Sequence, residues 1–397
     1  MVIPVEVNGV TLSFLLDTGV SSTMMFSLSE VDSLELKSTT TIRLRGLGEG
    51  GSIPALKSEH NRLKIGEVVD VNHTLYVVFD NSLSLSKRMG IPIHGIIGYD
   101  FFKNLVVKTN YNISKLTIYK PESYTYKECK KCEVFDLVFH NKKPYVDVTN
   151  IYDDDSDIHT LLIDSGSSDA LWLFDNSILE NNLDNKSFDD FLGQGLSGDI
   201  FGRRSKIPRM RIGTFELKDV KVAFPDEEST ENIKFFEQRD GSIGGELLNR
   251  FTIIMDYPSK KITLKKNNKF KDPFHYNMSG LTVKHDGVAM VKNKKDSFNN
   301  NVNNNEGATN ITISTTYEFF LVPKYVVSEI RKDSPADLAD IREGDELITV
   351  NGKQTHHYNL HEIIGLFASK ADKRITLKIK RNEIIYRKKF TLKEVFE

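Results

Sequence analysis

Two cysteines and one tryptophan in 397 residues leave no material for a disulfide scaffold. The cysteines, Cys129 and Cys132, stand in Lys-Glu-Cys-Lys-Lys-Cys-Glu. Two thiols cannot fill a four-ligand zinc site, no Cys/His cluster adjoins them, and the βαβ context of a thioredoxin-like motif is absent. They read as a local disulfide, which would imply an oxidising compartment, or as two idle thiols. No stretch is apolar for long enough to cross a bilayer. Neither charge dominates: 53 basic residues face 55 acidic ones, for a formal net charge of −2. No basic stripe with interleaved aromatics appears, so nucleic acid is not an expected partner. Lys388-Lys389 and the lysines of 292–295 read as solvated surface. No leader peptide is visible. Strand and turn begin at once with Val2-Ile3-Pro4-Val5-Glu6-Val7-Asn8-Gly9, and this abrupt start fits a chain whose leader residues lie upstream.

What is present is ordinary in bulk, 39% apolar and 27% charged, enough for more than one core and for two or three domains. The informative feature is an internal repeat. Phe14-Leu15-Leu16-Asp17-Thr18-Gly19 recurs 147 positions later as Leu161-Leu162-Ile163-Asp164-Ser165-Gly166. Leu63-Lys64-Ile65-Gly66 recurs at the same offset as Met210-Arg211-Ile212-Gly213. Gly95-Ile96-Ile97-Gly98 recurs 146 positions on as Gly241-Ser242-Ile243-Gly244, and that register carries Tyr111 onto Tyr257. Ile3-Pro4-Val5 finds an echo in Lys143-Pro144-Tyr145. Matches in one order at a nearly constant offset mean two copies of one lobe. Short apolar runs bounded by Gly, Asn, Asp and Pro predict a mainly β structure. Within the repeats the helix candidates are few: 98–105, its mate 244–251, and 188–192. A polar linker spans about 122–133, and the Asn-rich stretch 299–305 reads as a mobile loop.

A lone Asp-(Ser/Thr)-Gly arises by chance in roughly one chain in five of this length. Here each triplet ends an apolar strand, each precedes an apolar-apolar-Gly block, and the arrangement occurs twice. Two carboxylates close together cannot both ionise, so they hold one proton between them. Such a pair can take a proton from water and give one to a carbonyl oxygen. The glycine lets backbone approach the carboxylate, and the hydroxyls of Thr18 and Ser165 can anchor the loops.

At these residues the sequence resembles the aspartic peptidases of the pepsin and retropepsin type, over about residues 1–268. The resemblance rests on Asp17-Thr18-Gly19, Asp164-Ser165-Gly166, Ile97-Gly98 and Ile243-Gly244. It implies Asp17 and Asp164 as the catalytic pair, with Thr18, Gly19, Ser165, Gly166, Ile97, Gly98, Ile243 and Gly244 supporting their loops. It also implies a glycine-rich flap over the substrate. Both lobes offer one: Arg45-Gly46-Leu47-Gly48-Glu49-Gly50-Gly51, in which Gly46, Leu47 and Gly48 would touch substrate, and Gln194-Gly195-Leu196-Ser197-Gly198, in which Gly195, Leu196 and Ser197 would. Two flaps make the chain look like a fused retropepsin dimer. The first flap also spells G-x-G-x-x-G, but no helical stripe follows, as a dinucleotide site requires.

Residues 328–392 carry a different pattern. Ser334-Pro335-Ala336 is a helix N-cap with proline at the first helical position. Ile341-Arg342-Glu343-Gly344-Asp345 leads to a strand and an Asn351-Gly352 turn, and a helix follows at about 360–369. This is similar to PDZ domains of the bacterial protease type, which bind extended peptides by strand addition. Asp340 replaces the usual glycine before Ile341. No glycine-rich carboxylate-binding loop precedes Tyr325, and Tyr317-Glu318-Phe319-Phe320-Leu321-Val322 is expected in its place. His356, His357 and His361 read as surface or groove histidines.

The expected architecture is therefore mainly β: a bilobed aspartic-peptidase β-barrel fold of two homologous lobes plus a small PDZ-like α/β domain. Lobe 1 is expected at 1–122, linker and lobe 2 at 123–268, and linker, Asn-rich loop and PDZ-like domain at 269–397. The resemblance implies an aspartic endopeptidase needing no cofactor or metal, a polypeptide substrate, a peptide ligand at the PDZ-like domain, and an exported, periplasmic location. The rival is a non-catalytic peptide-binding or scaffold protein on the same fold.

Overall fold

The computed structural model describes residues 1–26, 34–46, 51–79, 85–149, 151, 158–176, 186–230, 238–302 and 309–396. The chain divides into two compact units. One holds Met1–Leu85, Pro92–Tyr276 and Phe396; the other holds Ser86–Ile91 and Asn277–Val395.

In the first unit, strands Val2–Val7 and Val10–Leu16 form a hairpin whose two-residue turn, Asn8-Gly9, takes positive φ at both positions. That is the turn chemistry a right-twisted hairpin requires. The strand Gly95–Ile97 lies between Val10–Leu16 and Thr23–Met25, parallel to the first and antiparallel to the second. The chain between those two must therefore arch over Gly98. Val68–Val78, Ile53–Ile65 and Thr39–Leu44 complete the sheet, and Val7 pairs back onto Leu63 to close it into a barrel. Lobe 2 repeats the plan. Gly241–Ile243 lies between Ile158–Ile163 and Leu171–Leu173, followed by Phe215–Pro225, Gly198–Ile212 and Phe188–Gly195. A single bridge, Ile151 to Met210, makes the equivalent closure.

A third sheet joins the lobes. Val106–Asn110 of lobe 1 pairs antiparallel with Phe251–Asp256 of lobe 2. One core cluster runs through both, including Phe14, Leu16, Phe102, Leu161, Phe224 and Phe251. Cys129 and Cys132 are joined as a disulfide in the linker, with Cα atoms 5.3 Å apart.

Three expectations change. The helices after Gly98 and Gly244 are single turns, Tyr99–Phe102 and Gly245–Leu248. Residues 188–192 are strand, paired with 201–204, because Phe188 and Leu192 occur at a spacing that a bulged strand also satisfies. The residues after 269 are not yet linker. Arg250 stacks 3.5 Å from the ring centroid of Phe274 and donates to the carbonyls of Lys269, Asp272 and Pro273. The Tyr276 hydroxyl donates to the Ser205 carbonyl.

In the second unit a sheet runs Leu281–Val302, Thr309–Ile330, Glu346–Val350, Arg374–Arg381, Ile384–Thr391. Leu360–Phe367 is its main helix, with a capping box between Asn359 and Glu362. Ser334 caps Pro335–Leu338, and Asp340 adopts φ +54°, so an aspartate serves where glycine was expected. Buried Asp345 is held by both ends of the Arg381 guanidinium. Tyr317–Val322 is not a binding loop; it lies inside a long strand opposite Ala289–Lys294. The segment before the edge strand is instead Asn277–Gly280. In the Asn-rich stretch, Asn299–Val302 pairs with Thr309–Thr312, a correction to the expected loop there; 303–305 lie outside the described residues.

Candidate active site

Strand alternation decides what each motif presents. Phe14 and Leu16 point into the main core, so Leu15 and Asp17 share the opposite face. The Asp17 and Asp164 amides donate to Ile97 and Ile243, each 2.9 Å, which fixes both aspartates at the strand ends. Beyond them the loops turn back on their own carboxylates. Gly19 N donates to Asp17 Oδ1 at 2.7 Å; Gly166 N and Ser167 N donate to Asp164 Oδ1 at 3.1 and 3.0 Å. A Cβ on Gly98 would collide with the carbonyls of Asp17 and Val20, and one on Gly244 with that of Asp169. The apolar-Gly blocks thus pack directly beneath the aspartate loops.

The two loops interlock. Thr18 N donates to Ser165 Oγ and Ser165 N to Thr18 Oγ1, both 3.1 Å. The Thr18 hydroxyl donates onward to the Ile163 carbonyl at 2.6 Å, the Ser165 hydroxyl to that of Leu16 at 3.1 Å. Each hydroxyl therefore accepts from one lobe's amide and donates to a carbonyl at the end of a motif strand. Across this interlock each loop faces the other lobe's carboxyl, and the charge of Asp164 acts on Asp17. A Cβ on Gly19 would sit 2.9 Å from Asp164 Cγ, and one on Gly166 inside contact distance of Asp17 Cγ. Only glycine leaves room for the facing carboxylate. Asp17 is 8% exposed. Burial first, then the charge of Asp164, push its carboxyl well above the usual carboxylate range, against the opposing pull of the Gly19 amide and Lys143.

The flap tips meet. Gly46 N donates to Ser197 Oγ at 3.0 Å, and a Cβ on Gly46 would lie 2.5 Å from that of Leu196. Gly195, Leu196 and Ser197 form the turn of the second flap; Leu47 and Gly48 lie outside the described residues. The second expected flap is tied to its aspartate loop by a part-buried strut. Arg204, on one flap strand, pairs with Asp190 on the other and with Asp169, five residues after Asp164. Trp172 Nε1 donates to the same Asp169 at 2.6 Å.

Sequence reasoning missed that strut, and it missed two cations near the pair, Lys143 and Arg239. The charge of Asp164 acts on both and that of Asp17 on Lys143. The signal for Lys143 was strand register: Tyr145 pairs with Leu162, so Lys143 falls opposite Asp164. It also missed a chain from Thr23 Oγ1 to His73 Nε2, 2.7 Å, and from His73 Nδ1 to Asp70, 2.9 Å. That chain has the connectivity of a hydrolytic triad, but Thr23 is 0% exposed, so it ties strands together and meets no substrate. Among the described residues no group of three or more His, Cys, Asp or Glu could hold a metal ion.

Residues 3–101 match the family model for aspartyl protease, and residues 326–381 that for the PDZ domain. No curated protein matches the chain. On a mainly β fold, the chain carries an aspartyl-protease family domain at its N-terminal end and a PDZ domain at its C-terminal end.

Proposed function

We propose that the protein is an aspartic endopeptidase whose nucleophile is a water held between Asp17 and Asp164. The observation carrying this reading is the interlock that brings the aspartate loops of two lobes face to face, with one carboxyl buried and biased toward its protonated form. In the proposed step the Asp164 carboxylate accepts a proton from water as the water oxygen bonds to the scissile carbonyl carbon. Asp17 gives its proton to the carbonyl oxygen. The tetrahedral diol then collapses: the C–N bond breaks, the leaving nitrogen takes the proton from Asp164, and a hydroxyl proton returns to Asp17. No group beyond water and the dyad is required. The hairpin tips that meet at Gly46 and Ser197 would part to admit a chain and close over it.

The PDZ domain implies peptide binding. Its strand beginning at Leu281 is a sheet edge, with helix Leu360–Phe367 beside it. An extended peptide would add to that edge. In the loop before it the amides of Ser279 and Gly280 are occupied by the Asn277 side chain, which a ligand carboxylate would replace. Partners are thus proposed to be polypeptides at both sites.

The test is cleavage of an unfolded protein by the full chain and by Asp17→Asn. Turnover by the first, with new N-termini, and a fall of at least about 10²-fold in the second is expected. A folded wild-type chain that binds the unfolded protein but never cuts it would establish the non-catalytic reading instead.

A further inference from the structure

The strand Leu281–Val302 has a neighbour on one side only. It ends its sheet, and among the described residues its one strand partner is Thr309–Ile330. That partner reaches the next strand only at Val326, opposite Glu346. From Val288 to Val302 the two strands therefore form a ribbon with no third strand among the described residues, an arrangement of marginal stability in water. The buried core of this unit includes Val283 and Tyr325 but nothing between them. Register sorts the ribbon's side chains. Val288 pairs with Pro323, Met290 with Leu321 and Lys292 with Phe319, and paired residues share a face. Tyr317, two residues before Phe319, joins that face. Val288, Met290, Tyr317, Phe319 and Leu321 are 49–72% exposed, so one face of the ribbon is apolar and uncovered.

Open strand edges invite pairing, and lysines commonly guard them. Here the guard begins at Lys292, whose Nζ lies 3.6 Å from the Tyr317 ring centroid, and continues at Lys295, paired with Glu318 at 3.4 Å. The stretch Val288-Ala289-Met290-Val291 carries no charge at all. This unguarded edge continues the edge at Leu281–His285 to which a PDZ ligand would add. A bulge at Asp286-Gly287 separates the two, with Gly287 at φ +71° and Asp286 held by Lys324 at 2.8 Å. A bulge bends a strand and strengthens its twist, but the same edge stays open beyond it. Another extended chain suits both features: its backbone pairs with the edge, and every second side chain falls on the apolar face. A lipid surface would cover the face and leave the edge amides and carbonyls without partners.

We propose that the ribbon is a second docking stretch for unfolded polypeptide: a chain seated at Leu281–His285 continues as a third strand along Val288–Val291, with apolar side chains at alternate positions on the face of Met290 and Leu321. Such alternation is buried in a folded protein and displayed by an unfolded one, so the ribbon selects unfolded chains. The proposal deepens the peptide-binding reading of the PDZ domain and rests on it for the first stretch. A five-residue peptide spans about 17 Å and fills only that stretch; the ribbon adds affinity for longer chains alone.

The experiment uses the full chain carrying Asp17→Asn, so that nothing is cut. One probe is a reduced, carboxymethylated and therefore permanently unfolded protein; the other is a pool of pentapeptides randomised at every position. Met290→Glu with Leu321→Glu puts charge on the apolar face, and a second variant replaces 288–323 by two glycines; thermal melting checks that both fold. The Kd for the unfolded protein should rise by about 10-fold or more in each variant, since burial of two large side chains is lost. Retention of the pentapeptide pool should not change. An unfolded protein bound equally by all three chains overturns the ribbon and, where the pool is retained, leaves the PDZ reading standing. Arm-dependent binding of the unfolded protein with no retention of the pool keeps the ribbon and sinks the PDZ reading. No binding of either probe sinks both. Sedimentation velocity covers the remaining occupant: a dimer abolished by the two glutamates, with binding of the unfolded protein untouched, would give this face to a second copy of the chain and overturn the proposal.

Discussion

Asp17 carries a cost that can be measured. Its folded-state carboxyl is held above its unfolded value by burial and by Asp164. A raised carboxyl stabilises the fold most at pH below its unfolded value, and that contribution is lost as pH rises toward the folded value. Asn mimics the protonated form at every pH. Asp17→Asn is therefore expected to melt higher than wild type at neutral pH, with the gap closing below the ordinary carboxylate range. Thermal melts from pH 3 to 8 check this; equal melting curves throughout would mean that Asp17 is not protonated in the folded state. For the proposed reaction the same sign predicts an alkaline limb, where Asp17 loses the proton it would donate. Thr23 gives a structural control. Thr23→Val strands the buried His73 nitrogen and should cost about 1–3 kcal/mol by denaturant unfolding without changing the pH profile of cleavage. The aspartates were legible in the sequence because the repeat presents each twice, in the same context. Lys143, Arg239 and the Thr23–His73–Asp70 chain were not, because each acquires its neighbour only through strand register or from residues far along the chain.

Single elements were legible where local chemistry is strong. Asn8-Gly9, Asn351-Gly352 and the Ser334 cap do what their residues dictate. Residues 188–192 were misread as helix because a short run with apolar ends satisfies either period, and only pairing with 201–204 decides. The flap strut belongs to the same class, since its ion pairs join Asp169, Asp190 and Arg204 from three separate segments. Side chains of Arg204 and Asp169 are only 12% and 13% exposed, so removing one partner leaves a buried charge. Arg204→Met should destabilise the chain by about 3–5 kcal/mol, and Arg204→Met with Asp169→Asn by clearly less. Urea unfolding of the single and double variants measures this. Because Arg204 sits on the flap, KM for a peptide should rise more than kcat falls. A single variant as stable as wild type would show the strut to be a surface pair of no consequence.

For the whole molecule the question is where the first compact unit ends. The change of composition suggested about 268, but the packing puts the end at Tyr276. Phe270 lies against Phe215 and Phe251, Phe274 is 3% exposed beneath Arg250, and Tyr276 binds two strand carbonyls of lobe 2. A chain cut after residue 268 loses all three. The loss of Phe274 alone should cost about 3–5 kcal/mol, a large share of a domain's stability. A chain cut after Tyr276 keeps them and loses from this unit only Phe396, which packs on Phe188 and Tyr276. Both aspartates, both expected flap segments and the sheet joining the lobes lie before either cut. The 1–276 chain should therefore melt cooperatively, slightly below the intact protein, and cut a short peptide with unchanged kcat. The 1–268 chain should melt far lower or fail to fold. Cleavage of a long unfolded protein should weaken in the 1–276 chain, because a tethered peptide-binding domain raises the local concentration of substrate without altering the chemical step. If 1–276 folds but cannot cut the short peptide, the PDZ domain is part of the catalytic machinery. If 1–268 is as stable as 1–276, the aromatic packing of 270–276 contributes nothing to the lobe it covers.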